Sequence, residues 1–201
     1  MEYNWYASLP ENQTISQGDI ILKCMLPKIV YKEESPFFKV EGEVHDVIVI
    51  TQACDLENSK VNDVTLCPLR SLSGFLTELL LAKYYPNGEN RERLLKKDLS
   101  SSMKKNKANE IKKLRSGSYL DFHLLNKYVS PGGEKELDYN VVLLRNSFTL
   151  PKEALESQVR ENKNKRFRLL PPYREHLSQA YARNFFRIGL PADIYIQDGE
   201  V

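Results

Sequence analysis

The string Ile48-Val49-Ile50-Thr51-Gln52-Ala53-Cys54-Asp55-Leu56-Glu57-Asn58 sets a row of polar side chains directly behind an unbroken β-branched run. A rigid strand aims whatever follows it, and sites are often built at such ends. Thr51, Gln52, Asp55, Glu57 and Asn58 therefore make one candidate polar cluster. The same residues read equally as a turn in which Asp and Asn bond their own backbone. Cys54 lies inside the string, and as a nucleophile it needs a base. The histidines, His45, His123 and His176, are scattered, and nothing in their spacing selects one. Cys24, Cys54 and Cys67 sit in or beside apolar runs and read as free thiols. No Cys-x-x-Cys or Cys/His spacing suits zinc, so neither a metal nor another cofactor is expected.

A second group is electrostatic. Between Arg91 and Arg115 the chain carries Arg93, Lys96, Lys97, Lys104, Lys105, Lys107, Lys112 and Lys113 against only Glu92, Asp98 and Glu110. Lysines at this density repel one another unless they are solvated or neutralised. The segment reads either as a solvated helical face or as a footprint for phosphate backbones, with Lys96, Lys97, Lys104, Lys105, Lys107, Lys112, Lys113 and Arg115 as the contacts. It lacks interleaved aromatics, so base stacking is not expected there. A third group runs from Arg166 to Arg187. Tyr173, Leu177, Ala180, Tyr181 and Phe185 recur at helical spacing and read as a core stripe, with Arg174, Arg183 and Arg187 mainly off it.

What the chain lacks narrows the chemistry. There is no G-x-x-x-x-G-K-[ST] loop, G-x-G-x-x-G turn, H-E-x-x-H or G-x-S-x-G elbow, which sets aside P-loop nucleotide hydrolysis, zinc proteolysis and serine hydrolysis. The net charge of +2 is too small to define a partner, so distribution matters more than the total. No apolar run reaches the roughly 18–20 residues of a membrane span, and residues 1–10 lack the basic start and apolar core of a signal peptide. A cytoplasmic protein without a membrane partner is expected.

These groups need elements to hold them. Strands are expected at 18–25, 44–51, 63–69, 118–125 and 138–145, with a further short one at 166–170. Residues 1–16 read as an irregular arm and 26–44 as a loop or ribbon. The run 44–51 is β-branched on both faces and reads as a central buried strand. Residues 71–84 show a wide apolar helical face, and Ser100-Ser101-Ser102 marks a break before the most basic stretch. Pro131-Gly132-Gly133 joins a hairpin. Pro151 opens a short helix over 152–158, and Pro171-Pro172 opens a last helix ending near Gly189.

The order of these pieces resembles the MazF/PemK group of toxins. Gly18-Asp19-Ile20 is similar to that family's opening strand, and Val47 to Thr51 to its second. Val64-Thr65-Leu66-Cys67-Pro68-Leu69 is similar to the third, and Val141-Val142-Leu143-Leu144-Arg145 to a later strand leading into a short helix. The Thr-Gln-x-Cys-Asp-Leu-Glu string and the Pro-Pro-Tyr-Arg-Glu segment are also similar to those of a group of uncharacterised bacterial proteins. The resemblance implies a small SH3-like β-barrel from 18–70 and 118–150; with the basic helical insertion at 71–117 and the C-terminal helical segment at 151–190, which lie outside the resemblance, the expected chain is α+β in a single domain over 1–201. The resemblance also implies RNA cleavage through an Arg and a Thr. Here His45-Asp46 stands where the family has Arg-Pro, and Leu69-Arg70-Ser71 follows the third strand's Pro. A nuclease on this frame would rely on His45, Arg70, Thr51 and Ser71, with His45 as base and Arg70 stabilising the phosphate. Because both family residues are replaced, a non-enzymatic module is the first expectation, binding nucleic acid (RNA or DNA) or a protein encoded nearby, in a bacterial regulatory or defence system. An endoribonuclease is the second.

Overall fold

In a computed structural model of the chain, the described residues are 3–86, 91–96, 99–163 and 165–185. The strands are β1 (Tyr6–Leu9), β2 (Asp19–Tyr31), β3 (Phe38–Val49), β4 (Asp63–Ser71), β5 (Phe122–Leu125), β6 (Tyr128–Val129), β7 (Lys135–Leu137), β8 (Asn140–Leu143), β9 (Phe148–Pro151) and β10 (Arg166–Leu169). The helices are α1 (Ala53–Glu57), α2 (Leu72–Tyr84), α3 (Arg91–Leu95), α4 (Ser101–Arg115), α5 (Lys152–Asn162) and α6 (Tyr173–Phe185). The class is α+β. The main sheet is antiparallel at every pairing, in the order β1-β10-β2-β3-β4-β8-β5, with β9 also on β4 and β6–β7 forming a separate ribbon.

Central placement of β3 follows from its composition. Val47, Ile48 and Val49 are fully buried because both faces of the strand are covered. Ile48 faces a core with Ile20, Cys67, Val142, Phe167 and Leu177. Val47 and Val49 face a second core with Ile21, Leu66 and Leu155. A third cluster lies under the insertion, where Phe75, Leu76 and Leu114 cover Val141.

Gly18 enters β2 at φ +82, and a side chain there would meet the Leu169 carbonyl at 3.1 Å, so glycine answers two demands at once. Next to it Asp19 is fully buried and accepts from Arg168 Nε (2.5 Å), Arg166 Nη1 (3.3 Å) and the Ser16 N–H (3.1 Å). Burial raises its carboxyl, while Arg168, Ser16 and Arg166 pull it down.

Three expectations are corrected. The arm at 1–16 contains β1, which pairs with β10 in register Tyr6↔Leu169. The third strand, expected to end at Leu69, continues past Pro68 to Ser71. On that side β9 pairs over Asp63–Leu66 and β8 takes over at Leu69, so the missing N–H of Pro68 points into the gap between them. The helix at 152–158 continues to Asn162.

The sheet is open in its backbone pairing: among the described residues, no ladder joins β1 to β5. From β1 the Tyr6 side chain reaches the segment that follows β5. The Tyr6 hydroxyl donates to the Asn126 carbonyl at 2.8 Å, and its ring meets Tyr128 edge-on at 5.8 Å. No helix among the described residues is long and apolar enough to cross a membrane.

Candidate nucleic-acid interface

The basic segment becomes α4 because Met, Lys, Ala and Leu are good helix formers and Ser100 caps it, its Oγ accepting from Met103 N at 3.3 Å. The inner side of α4 carries Met103, Glu110 and Leu114. Glu110 is fully buried and accepts hydrogen bonds from Lys83 Nζ (3.0 Å), Tyr84 Oη (2.6 Å), Lys113 Nζ (3.2 Å) and the Tyr119 hydroxyl. Burial pushes its carboxyl up, but the bonds from Tyr119, Tyr84, Lys83 and Lys113 together outweigh it and hold Glu110 down to about 2. The same bonds raise Lys83 above its ordinary value. A buried charge thus bolts α4 to α2.

The outer side is different. At about 100° per residue, Lys104, Lys105, Lys112 and Arg115 fall within an arc of about 100° and span roughly 16 Å of helix. All four are exposed, and their neighbours on that face are Ser101, Ala108 and Asn109. The face carries no carboxylate, and none of the four has an ion pair among the described residues. The other expected contacts fall elsewhere. Lys113 belongs to the Glu110 bolt, Lys96 pairs with Glu92 at 3.6 Å, and Lys107 is half-buried beside a small pocket against α2. Lys97, like Arg187, lies outside the described residues.

Arg115 also lines a cavity of about 790 Å³ at the free edge of the sheet. β5 is the last strand, and Leu144 N–H bonds the Asp121 carbonyl at 3.0 Å. The alternation of an antiparallel ladder then directs the main-chain groups of Phe122 and Leu124 away from β8. Around that edge stand Trp5, Tyr139, Tyr173, His123, His176 and Asn126, with Leu114 and Ile111 of α4 opposite. Trp5 stacks on Tyr173 at 3.7 Å and 10°. Burial, and secondly the neighbouring His176, lower His123 to about 4, so its imidazole is neutral at pH 7. The Asn184 side chain at the end of α6 donates to the Leu120 carbonyl (3.0 Å) and to Asp121 Oδ1 (2.8 Å), which fixes the far end of this wall.

Neither the family models nor the curated proteins match this chain. The reading therefore rests on geometry.

The polar string 51–58 does not converge on a site. Thr51 Oγ1 accepts from the Thr65 N–H at 2.7 Å, and Asn58 Nδ2 donates to the Cys54 carbonyl at 2.6 Å. Residues 53–57 form α1, with Gln52 at its N-cap, and Gln52, Glu57 and Asn58 are exposed. The turn reading holds here, and Asp55 closes it through its carbonyl to Lys60 N. Ser71 is spent as the N-cap of α2, accepting from Gly74 N at 3.2 Å. His45 and Arg70 are near neighbours, since Asp46 pairs with Leu69 and the next step along both strands reaches them. The His45 ring faces Glu43 (Nε2 to Oε2, 3.6 Å), and neither residue lines the cavity. No group of three or more His, Cys, Asp or Glu among the described residues could hold a metal ion. Sequence reasoning missed the cavity and the Glu110 bolt, because both join residues far apart in the chain. The one visible signal was Glu110, an isolated acid in a basic helix.

Proposed function

We propose that this protein is a nucleic-acid-binding module. The exposed face of α4 takes phosphates, and the cavity at its C-terminal end takes an unpaired base of the same strand. The observation that carries this reading is the position of Arg115, which is both the last cation of the charged face and part of the cavity wall. Single-strand binders combine a basic track with aromatic surfaces on which bases stack. The cations lie on α4, while the aromatics come from the sheet edge, the N-terminal segment and α6, so no single stretch of sequence contains both. On this reading the open sheet, linked near its two ends by the hydrogen bond from Tyr6 to Asn126, is a diverged small barrel of the MazF/PemK type. Its setting is then a bacterial regulatory or defence system.

The test is binding of fluorescein-labelled single-stranded RNA and DNA across a salt series. Wild type should bind with a log–log salt slope near −0.7 per phosphate contact, and K104Q/K105Q/K112Q should flatten that slope by up to about two units. Absence of binding by wild type at low salt refutes the reading.

A second reading has one observation in its favour, the neighbouring positions of His45 and Arg70. A ribonuclease would use them as base and phosphate stabiliser. Cleavage by wild type that is lost in both His45→Ala and Arg70→Ala, with folding intact, would make that reading the correct one.

A further inference from the structure

The β2–β3 hairpin runs past the sheet as a two-stranded ribbon, and every residue from 31 to 42 is exposed. A lone hairpin is marginal in water, so a projecting one calls for a reason. Its register makes the two faces unlike. Met25↔Val44, Pro27↔Gly42, Ile29↔Val40 and Tyr31↔Phe38 share one face, while Leu26↔Glu43, Lys28↔Glu41 and Val30↔Lys39 share the other. On the second face the charges pair among themselves, Lys28 with Glu43 (3.1 Å) and Lys39 with Glu41 (2.5 Å). The first face carries no charge at all. Its exposures are 72% for Ile29, 75% for Tyr31, 61% for Val40, 54% for Val44 and 48% for Met25 and Phe38.

The base of the ribbon is held firmly. β2 is bulged between Ile21 and Cys24, with Lys23 at φ +55 and its N–H on Asp46 Oδ1 (2.9 Å). Beyond the bulge, Gln158 of α5 accepts from Met25 N (2.7 Å) and donates to Met25 O (3.0 Å). Asn162 donates to Leu22 O (2.8 Å) and Lys23 O (3.1 Å). The strand edge is thereby capped just where β10 ends, and the ribbon leaves the body in a set direction.

We propose that this apolar face is where a second copy of the chain docks, the two ribbons packing face to face about a two-fold axis. An uncharged face is complementary to itself, which an isologous contact requires. It offers nothing to a phosphate backbone, and the ribbon sets Lys28, Lys32 and Lys39 against Glu33, Glu34, Glu41 and Glu43, so it has no excess of cations to draw it to an anionic membrane surface. Six such side chains present on the order of 400 Å² per copy. Two faces close about 800 Å², the scale of a weak, reversible dimer rather than a permanent one.

Sedimentation velocity of the full chain, free of nucleic acid, tests this from roughly 1 µM to roughly 500 µM. Wild type should move from monomer towards dimer as concentration rises. I29K/V40K, which sets two like charges opposite each other on the apolar face, should associate at least tenfold more weakly with an unchanged circular-dichroism spectrum. Val30→Lys, on the other face, should dimerise as wild type does. A wild type that stays monomeric throughout overturns the proposal and leaves the ribbon to a different protein. Undiminished dimerisation of I29K/V40K, or equal loss in Val30→Lys, overturns it as well.

Discussion

Replacing Glu110 tests whether a buried charge holds the charged helix in place. The carboxylate is fully buried and accepts from two ammonium groups and two phenols on three segments of chain. In Glu110→Ala these donors converge on nothing. Removing one partner of a buried ion pair costs about 3–5 kcal/mol. The low end applies, because the Lys83 and Lys113 side chains are 41% and 44% exposed and regain water. Glu110→Gln keeps an acceptor oxygen but loses the charge, and should cost about 1–3 kcal/mol. Urea denaturation at pH 7, read by circular dichroism, measures both, with slopes unchanged so that the midpoints report stability. The pH dependence has a definite sign. The folded value of about 2 lies below the ordinary 4.5. The stabilisation is therefore present above about 4.5 and is lost as pH falls towards about 2. The gap between wild type and Glu110→Gln should close over that window. Both variants lying within about 0.5 kcal/mol of wild type, the level of an ordinary surface change, would refute the argument.

Two further outcomes are expected. Ile48→Ala should cost about 2–5 kcal/mol in the same denaturation assay, because Ile48 is fully buried in the central strand and its neighbours on β2 and β4 cannot close the space. The His123 ring should titrate near 4 by proton NMR, below its ordinary 6.5, and His176→Gln should move it only slightly because burial is the leading cause. With its folded value lowered, His123 adds stability above about 6.5 that is lost as pH falls towards about 4; a midpoint at or above 6.5 would mean the ring is not buried.

Periodicity made the central strand, the helix at 72–84 and the hairpin around Pro131 legible, because each is decided within one window of sequence. Pro68 lies inside β4 rather than at its end, because the rule that proline ends a strand assumes a ladder bond on both sides. Here β8 and β9 share that edge and leave a gap at Pro68. β1 was invisible for a different reason. Tyr6-Ala7-Ser8-Leu9 has weak strand character, and its pairing comes from β10, about 160 residues further along the chain. The polar string at 51–58 reads as a site because it follows a buried strand, yet the Thr51 and Asn58 side chains bond main-chain groups, and Gln52 and Glu57 are exposed to solvent rather than gathered around a common point. The cavity could not be read at all, since its wall draws on the N-terminal segment, α4, β5 and α6.

The cations of the basic segment divide by what the fold already uses. Lys113, with Lys83 from α2, neutralises the buried Glu110, and Lys96 sits by Glu92. Lys107 lies half-buried at the seam with α2. Of the cations on α4 itself, what is left, Lys104, Lys105, Lys112 and Arg115, lies on one exposed face with no acid on it. Helix stability accounts for only part of that separation: Lys112 and Arg115 lie in the last turn, where the helix dipole favours cations, but they are like charges three apart, and Lys104 and Lys105 lie near the N-terminal end, where the dipole opposes them. On the proposed function, an anion spanning them would relieve their mutual repulsion, and the aromatic cavity beside Arg115 would favour a nucleic acid over an acidic peptide. The bolt and the face are consequently separable: Glu110→Gln should lower stability, whereas K104Q/K105Q/K112Q should lower binding and leave stability unchanged or slightly raised.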